Sequence, residues 1–292
     1  MRIGFVGLGN MGFPMARNLA AAGLDVVGFD IATGVPGGVK QGEDVRMTSK
    51  GRDIVVTMLP DGDVVRAVAA EIIPIMKRGS VLLDCSTIDV ESARAVANDS
   101  GSAGIHFVDA PVSGGIAGAD AGTLTFMAGG TSVAYEMVRP IFEIMGQRSV
   151  HCGDSGSGQT AKMCNNMIFG VTLIGTCEAF VLADRLGLDR QKLFDVVSTS
   201  SGYSWTMNAY CPAPGVGPVS PADNDYRPGF SAELMLKDLR LSQRAAEQVD
   251  ADTQLGRLAT DLFERFVDME DGLGKDCTAM LPRLETRKRD QC

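Results

Sequence analysis

Histidine is nearly missing from this sequence: only His106 and His151 occur in 292 residues. They lie far apart and lack metal-ligand spacing, so no metal is expected. No Cys-x-x-Cys pair is present either. The seven cysteines, at 85, 152, 164, 177, 211, 277 and 292, are scattered, several of them in apolar surroundings. They read as reduced, mostly buried thiols of a cytoplasmic protein. Cationic residues are outnumbered, 27 Lys and Arg against 36 Asp and Glu, for a net charge of −9. The missing basic footprint argues against nucleic acid and against anionic membrane surfaces as partners. The most apolar run, 167–183, contains Glu178 and follows Asn165 and Asn166, so a buried core helix is expected there and not a membrane span. The chain opens directly on the strand-like RIGFVGLG, and no signal or transit peptide is expected.

What is present is an ordinary globular composition, 45% hydrophobic and 22% charged, with 35 glycines that follow no collagen-like period. The length exceeds one typical domain. Strand-like apolar runs at 3–6, 26–29, 54–58, 81–83, 107–108, 124–127 and 149–152 alternate with helical patterns, which predicts βαβ units and a mainly parallel sheet. After Gly158 the strand signals cease. Helices are predicted over 158–187, 190–200, 231–249, 253–272 and 275–290, interrupted by the proline- and glycine-rich segment 211–230. The expected fold is therefore α/β, a Rossmann-type doubly wound sheet over 1–161 followed by an all-helical domain over 162–292. A long spine helix joins them.

Gly7-Leu8-Gly9-Asn10-Met11-Gly12 sits directly after a strand and at the head of a helix. Glycines at these three positions permit a tight turn, close approach to a pyrophosphate and close helix-to-strand packing. The second strand ends in Asp30, 18 residues beyond Gly12, where a carboxylate can accept from ribose hydroxyls and would repel a 2′-phosphate. NAD is accordingly favoured over NADP. Leu59 and Pro60 end the third strand and Ser86 and Thr87 follow the fourth, at the sheet edge where a dinucleotide lies. Two departures stand out: the glycine-rich segment after Asp30 contains Pro36, predicting an irregular adenosine-side wall, and Val64 stands where the family that the chain's motifs resemble implies an asparagine.

DAPVSGG at 109–115 ends a strand in a serine and two glycines, and Ser113, Gly114 and Gly115 could form a nest for a carboxylate. GSGQTAKMCNN at 156–166 places Lys162 and Asn166 at i and i+4 on one helical face, with Gln159 one turn earlier and Gly158 leaving space beside the lysine. Oxidation of an alcohol needs a group to take the hydroxyl proton, and neither histidine is placed for it. A lysine acting near neutral pH must titrate about 3 units below its reference value, a cost of about 4 kcal/mol. Burial and a neighbouring cation supply shifts of that size.

GFVGLGNMGFPMARNLAAAG, DAPVSGG, GSGQTAKMCNNM, AYCPAPGV at 209–216 and LMLKDLRLSQ at 234–243 resemble, in order and spacing, the β-hydroxyacid dehydrogenase family, and most closely its hydroxyisobutyrate branch. The resemblance covers essentially the whole chain. It implies NAD-dependent oxidation of 3-hydroxyisobutyrate to methylmalonate semialdehyde in valine breakdown, with Lys162 as the acid–base group and Asn166 orienting it and the substrate hydroxyl. It also implies substrate contacts from Ser113, Gly114, Gly115 and Lys237. The 7–12 turn, Asp30, Leu59, Pro60, Thr87 and Lys237 would meet the cofactor, and Asp238 would lie near the active site. The helical domain would mediate a homodimer or homotetramer. Phe230 and Trp205 could wall the substrate pocket or pack in the core. Reductases of tartronate or succinic semialdehyde or of glyoxylate, a 6-phosphogluconate-type dehydrogenase and a non-catalytic NAD-binding module are the alternative readings.

Overall fold

Nine strands share one sheet in the computed structural model, which describes residues 1–286 and clusters into two units, Met1–Lys162 and Met163–Cys292. The strands are β1 (Arg2–Val6), β2 (Asp25–Phe29), β3 (Lys40–Gln41), β4 (Ile54–Thr57), β5 (Val81–Asp84), β6 (His106–Asp109), β7 (Val112–Ser113), β8 (Leu124–Gly129) and β9 (Gly146–Gly153). Helices α1 (Gly12–Ala21), α2 (Val45–Ser49), α3 (Gly62–Ile72), α4 (Val90–Ser102), α5 (Gly115–Ala121) and α6 (Ser132–Met145) connect them. The order β3-β2-β1-β4-β5-β6 is all parallel and belongs to a dinucleotide-binding sheet. Beyond it, β8 runs antiparallel to β6 and β7 and parallel to β9.

Burial on both sheet faces explains why β4 and β5 read as unbroken apolar runs. Alternation then assigns the side chains to one face or the other. Ile54, Val56, Val81 and Leu83 pack with α1 and α6, whereas Val55 and Leu82 pack with α3 and α4. The expected α/β class is found. β3 and β7 were not anticipated, because two residues carry no readable period. The segment after Asp30 is irregular as expected, with neither helix nor strand from Ile31 to Val39.

The second unit contains no strand among its described residues. Helix α7 (Ser157–Arg185) is continuous through the division at Lys162, and α8 (Arg190–Val197), α9 (Trp205–Asn208), α10 (Ala232–Gln248), α11 (Gln254–Met269) and α12 (Met280–Thr286) follow. Leu173, Cys177 and Phe180 of α7 form a core with Met235, Leu236 and Leu239 of α10 and Phe263 and Phe266 of α11. Gly170 permits this packing, since a Cβ there would stand 3.0 Å from Leu239. The single turn α9 escaped sequence reading, and the end of the helix predicted over 275–290 lies outside the described residues, as does Cys292. The six described cysteines are free thiols, four of them buried. Helix α7 is the one helix among the described residues long and apolar enough to cross a bilayer, and less than half of its apolar window is buried.

Candidate active site

The turn after β1 separates its three glycines by physical role. A Cβ on Gly7, whose φ is +94°, would meet the Met58 carbonyl oxygen at 2.2 Å, and one on Gly12 would meet the Gly7 carbonyl oxygen at 1.9 Å. Both positions are therefore dictated by the fold itself. At Gly9 nothing lies within 4 Å of an added Cβ, so protein packing does not require glycine there. A bare backbone facing open space suits close approach of a pyrophosphate, and no side chain caps the N-terminus of α1 behind it. The cradle fits a dinucleotide.

Asp30 stands just beyond β2, where its Oδ2 accepts from Leu8 N–H at 2.7 Å and its Oδ1 from Ala32 and Thr33 N–H at 2.8 and 3.0 Å. Burial pushes its pKa up, but the N–H groups of Ala32, Leu8 and Thr33 outweigh that and hold the carboxyl below its ordinary range. It is an anion tied to the glycine turn.

The neighbouring strand ends are bound side by side. Asp84, the last residue of β5, accepts through Oδ1 from Thr57 Oγ1 at 2.7 Å and Ser86 Oγ at 2.6 Å, and Ser86 Oγ accepts from Leu59 N–H at 2.8 Å. Leu59, Pro60 and Thr87 thus emerge at the carboxyl edge of adjacent parallel strands, where such sheets bind ligands. Val64 sits in the first turn of α3, its N–H capped by Asp61, and its side chain offers no hydrogen bond. Ser113 closes β7, and Gly114 and Gly115 both take positive φ, +133° and +61°, as they turn into α5.

The head of α7 is anchored by β6. Asp109 Oδ1 accepts from Gly156 N–H at 2.7 Å and Oδ2 from Gln159 N–H at 3.0 Å. Burial, with the Asp84 carboxylate adding to it, pushes the Asp109 pKa up to about 7 against the lowering by these two N–H groups. The glycine at 158 has a different role from the one expected. Its Cβ would meet the Met127 carbonyl oxygen at 2.2 Å and the Asp109 carbonyl oxygen at 2.6 Å, so it permits helix-to-sheet contact and does not make space for the lysine. Gln159 likewise turns to the backbone of Ser86 and Ile88. Lys162 is buried, 7% exposed, and Asn166 follows it one helical turn later, also buried.

Within the second unit Asn166 Nδ2 donates to Asp238 Oδ2 at 2.5 Å while its Oδ1 accepts from Asn165 at 2.9 Å. Lys237 Nζ lies 3.8 Å from Asp238 Oδ1. Asn166, Lys237 and Asp238 are thus brought together, and the charge of Lys237 has a carboxylate beside it. Trp205 is 55% exposed, stacked on Tyr210 at 4.9 Å and edge-on to Phe169, while Phe230 packs against the helical core. His151 bonds the Gly130 carbonyl at 2.7 Å and stacks on Tyr135, a packing role. Among the described residues no group of three His, Cys, Asp or Glu side chains could hold a metal. Sequence reading missed Asp84 and Asp109 as buried anchors. Their signal was an acid closing each of two buried strands.

Residues 2–153 match the family described as the NAD binding domain of 6-phosphogluconate dehydrogenase, and residues 156–284 the NAD-binding family of NADP-dependent 3-hydroxyisobutyrate dehydrogenase. A probable 3-hydroxyisobutyrate dehydrogenase of Mycobacterium bovis is 43% identical over 290 residues, 98% of each chain. An NAD-dependent L-serine dehydrogenase of Pseudomonas aeruginosa is 42% identical over 270 residues, 90% of this chain and 91% of that one. The solved structure of Mycobacterium tuberculosis 3-hydroxyisobutyrate dehydrogenase with L-serine superposes with a TM-score of 0.92 at 42% identity, covering 97% of this chain and 99% of that one. With a nucleotide cradle at the sheet edge and relatives aligned along its length, the chain belongs to the 3-hydroxyisobutyrate dehydrogenase-like β-hydroxyacid dehydrogenases, NAD(P)-binding oxidoreductases.

Proposed function

We propose that this enzyme oxidises 3-hydroxyisobutyrate to methylmalonate semialdehyde with NAD, in valine breakdown, and that Lys162 is its acid–base group. The observation that carries the reading is Lys162 itself, a buried lysine one helical turn before a buried asparagine. Ser113, Gly114 and Gly115 hold the substrate carboxylate with a hydroxyl and backbone N–H groups. Neutral Lys162 Nζ takes the proton of the C3 hydroxyl, and Asn166, itself held by Asp238, orients that hydroxyl. NAD, when bound, supplies the hydride acceptor. The 7–12 turn, Leu8, Asn10 and Met11 included, holds the pyrophosphate; Asp30 holds the ribose hydroxyls; Leu59, Pro60, Thr87 and Lys237 complete the cofactor contacts. Asp30 is already held anionic by three backbone N–H groups, so a 2′-phosphate beside it meets a fixed negative charge and NAD is preferred.

L-Serine is the second reading, favoured by the L-serine dehydrogenase relative and by the L-serine in the Mycobacterium tuberculosis structure. Both compounds are 3-hydroxy acids. The test is a panel of 3-hydroxyisobutyrate, L-serine, tartronate semialdehyde and succinic semialdehyde with each nicotinamide cofactor, following the reduced form. Highest kcat/KM for 3-hydroxyisobutyrate with NAD is expected. Highest kcat/KM for L-serine would replace the substrate, and equal use of NADP would remove Asp30 from the argument. We further propose a homodimer or homotetramer, because Ile168 and Leu182 of α7 are 61% and 60% exposed. The free thiols fit the reducing cytoplasm.

A further inference from the structure

We propose that Gln159 is a positioning residue that straps the loop carrying Thr87 to the first turn of α7 and thereby sets cofactor affinity. The proposal rests on the reading above, in which Thr87 meets NAD and α7 carries the acid–base lysine.

Gln159 is fully buried, and its amide makes two backbone hydrogen bonds. Nε2 donates to the Ser86 carbonyl at 2.8 Å, and Oε1 accepts from the Ile88 N–H at 3.1 Å. Residues i−1 and i+1 of Thr87 are therefore bracketed by one side chain. This pairing is the one a neighbouring strand would offer, at a point where β5 has ended and α4 has not begun. The strap is itself fixed, because the Gln159 N–H donates to Asp109 Oδ2 at 3.0 Å and β6 pairs with β5 in the register Asp84↔Asp109. From Ser86 the connections continue through its hydroxyl to Asp84 and to the Leu59 N–H, so α7 is tied to two strand ends that carry proposed cofactor contacts.

The residue type follows from this geometry. The position needs one donor and one acceptor at fixed separation on a long stem, which only glutamine supplies without charge. A core filler such as leucine would leave the Ser86 carbonyl and the Ile88 N–H without the partners they now have, in a place closed to water. Lys162 lies three residues further along the same helix, so the strap also fixes the backbone from which the lysine departs.

NADH fluorescence titration of the full-length protein across a pH series, on wild type, Gln159→Leu and Gln159→Glu, tests the inference. Loss of both bonds in Gln159→Leu should weaken NADH binding about tenfold at every pH. The isosteric Gln159→Glu can accept from Ile88, but as a carboxylate it has no proton for Ser86. Its deficit relative to wild type should be large at alkaline pH and shrink as the pH falls and the acid becomes a donor. A purely structural role would lower the melting temperature of both variants without that pH-dependent deficit. If Gln159→Leu does not fold, the glutamate variant carries the test. A wild-type to Gln159→Glu ratio that stays flat with pH, or a folded Gln159→Leu that binds within twofold of wild type, overturns the proposal. Absence of NADH binding by wild type would overturn the cofactor reading as well, which separates the two failures.

Discussion

Lys162 has its strongest competitor in a bland role, a long side chain threading along apolar surface with its charge in water. Its burial argues against that, and replacement decides it. Lys162→Ala should lower kcat about 100- to 10,000-fold while leaving NADH affinity within a few-fold of wild type, since the cofactor is held mainly by the 7–12 turn. Lys162→Arg should recover little, because a guanidinium stays protonated and cannot accept the hydroxyl proton. In wild type the oxidation rate should rise with pH as the lysine loses its proton, and this limb should vanish in the alanine variant. Near wild-type turnover with an unchanged pH profile would make the lysine structural. Asn166 invites a milder expectation. Asn166→Ala should cost less than Lys162→Ala, because it removes an orienting group whose partner, Asp238, is retained.

At the scale of the element, the first turn of α7 is held by a carboxyl whose preferred state changes near neutrality. Folded Asp109 keeps its proton up to about pH 7, whereas the unfolded chain releases it near 3.8. Between those values the folded state binds more protons than the unfolded one. Stability should therefore fall as pH rises through the window, by at most about 1.4 kcal/mol per pH unit, and level off above it. Asp109→Asn should abolish the fall, since an amide at the same place between Gly156 and Gln159 does not titrate in the window. Urea unfolding of both proteins from pH 4 to 9, taken as a difference, reads this out; a constant difference would mean that Asp109 does not titrate in the window. The same turn shows where sequence reading stops. The apolar runs of β1, β4 and β5 and the length of α7 were legible, because periodicity and composition act within a segment. The packing of Gly158 on Met127 and the reach of Gln159 to residue 86 join segments distant in sequence, and no local pattern encodes them. For the same reason the glycine turn and Lys162 were readable as motifs, while Asp84 and Asp109, which hold the ends of β5 and the start of α7, were not.

For the whole molecule, the exposed side of α7 is the feature that a single chain leaves unexplained. Ile168, Gly175 and Leu182 recur at seven-residue intervals on it, and Gly175 has open space where a Cβ would stand. A stripe of that kind suits a second copy packed along the helix. Light scattering at micromolar concentration should give at least a dimer, and Leu182→Asp should shift it toward monomer; a wild-type monomer would contradict the assignment. The three glycines of the nucleotide turn bear on a different property of the molecule, how much of it accumulates in a cell. Alanine at position 7 or 12 collides with backbone and should deplete the protein itself, whereas alanine at position 9 meets nothing and should leave its abundance untouched while abolishing NADH binding. A mutational scan scored by expression would register two of the three positions and be blind to the third, so natural or engineered variants at Gly9 would persist as well-folded, inactive protein.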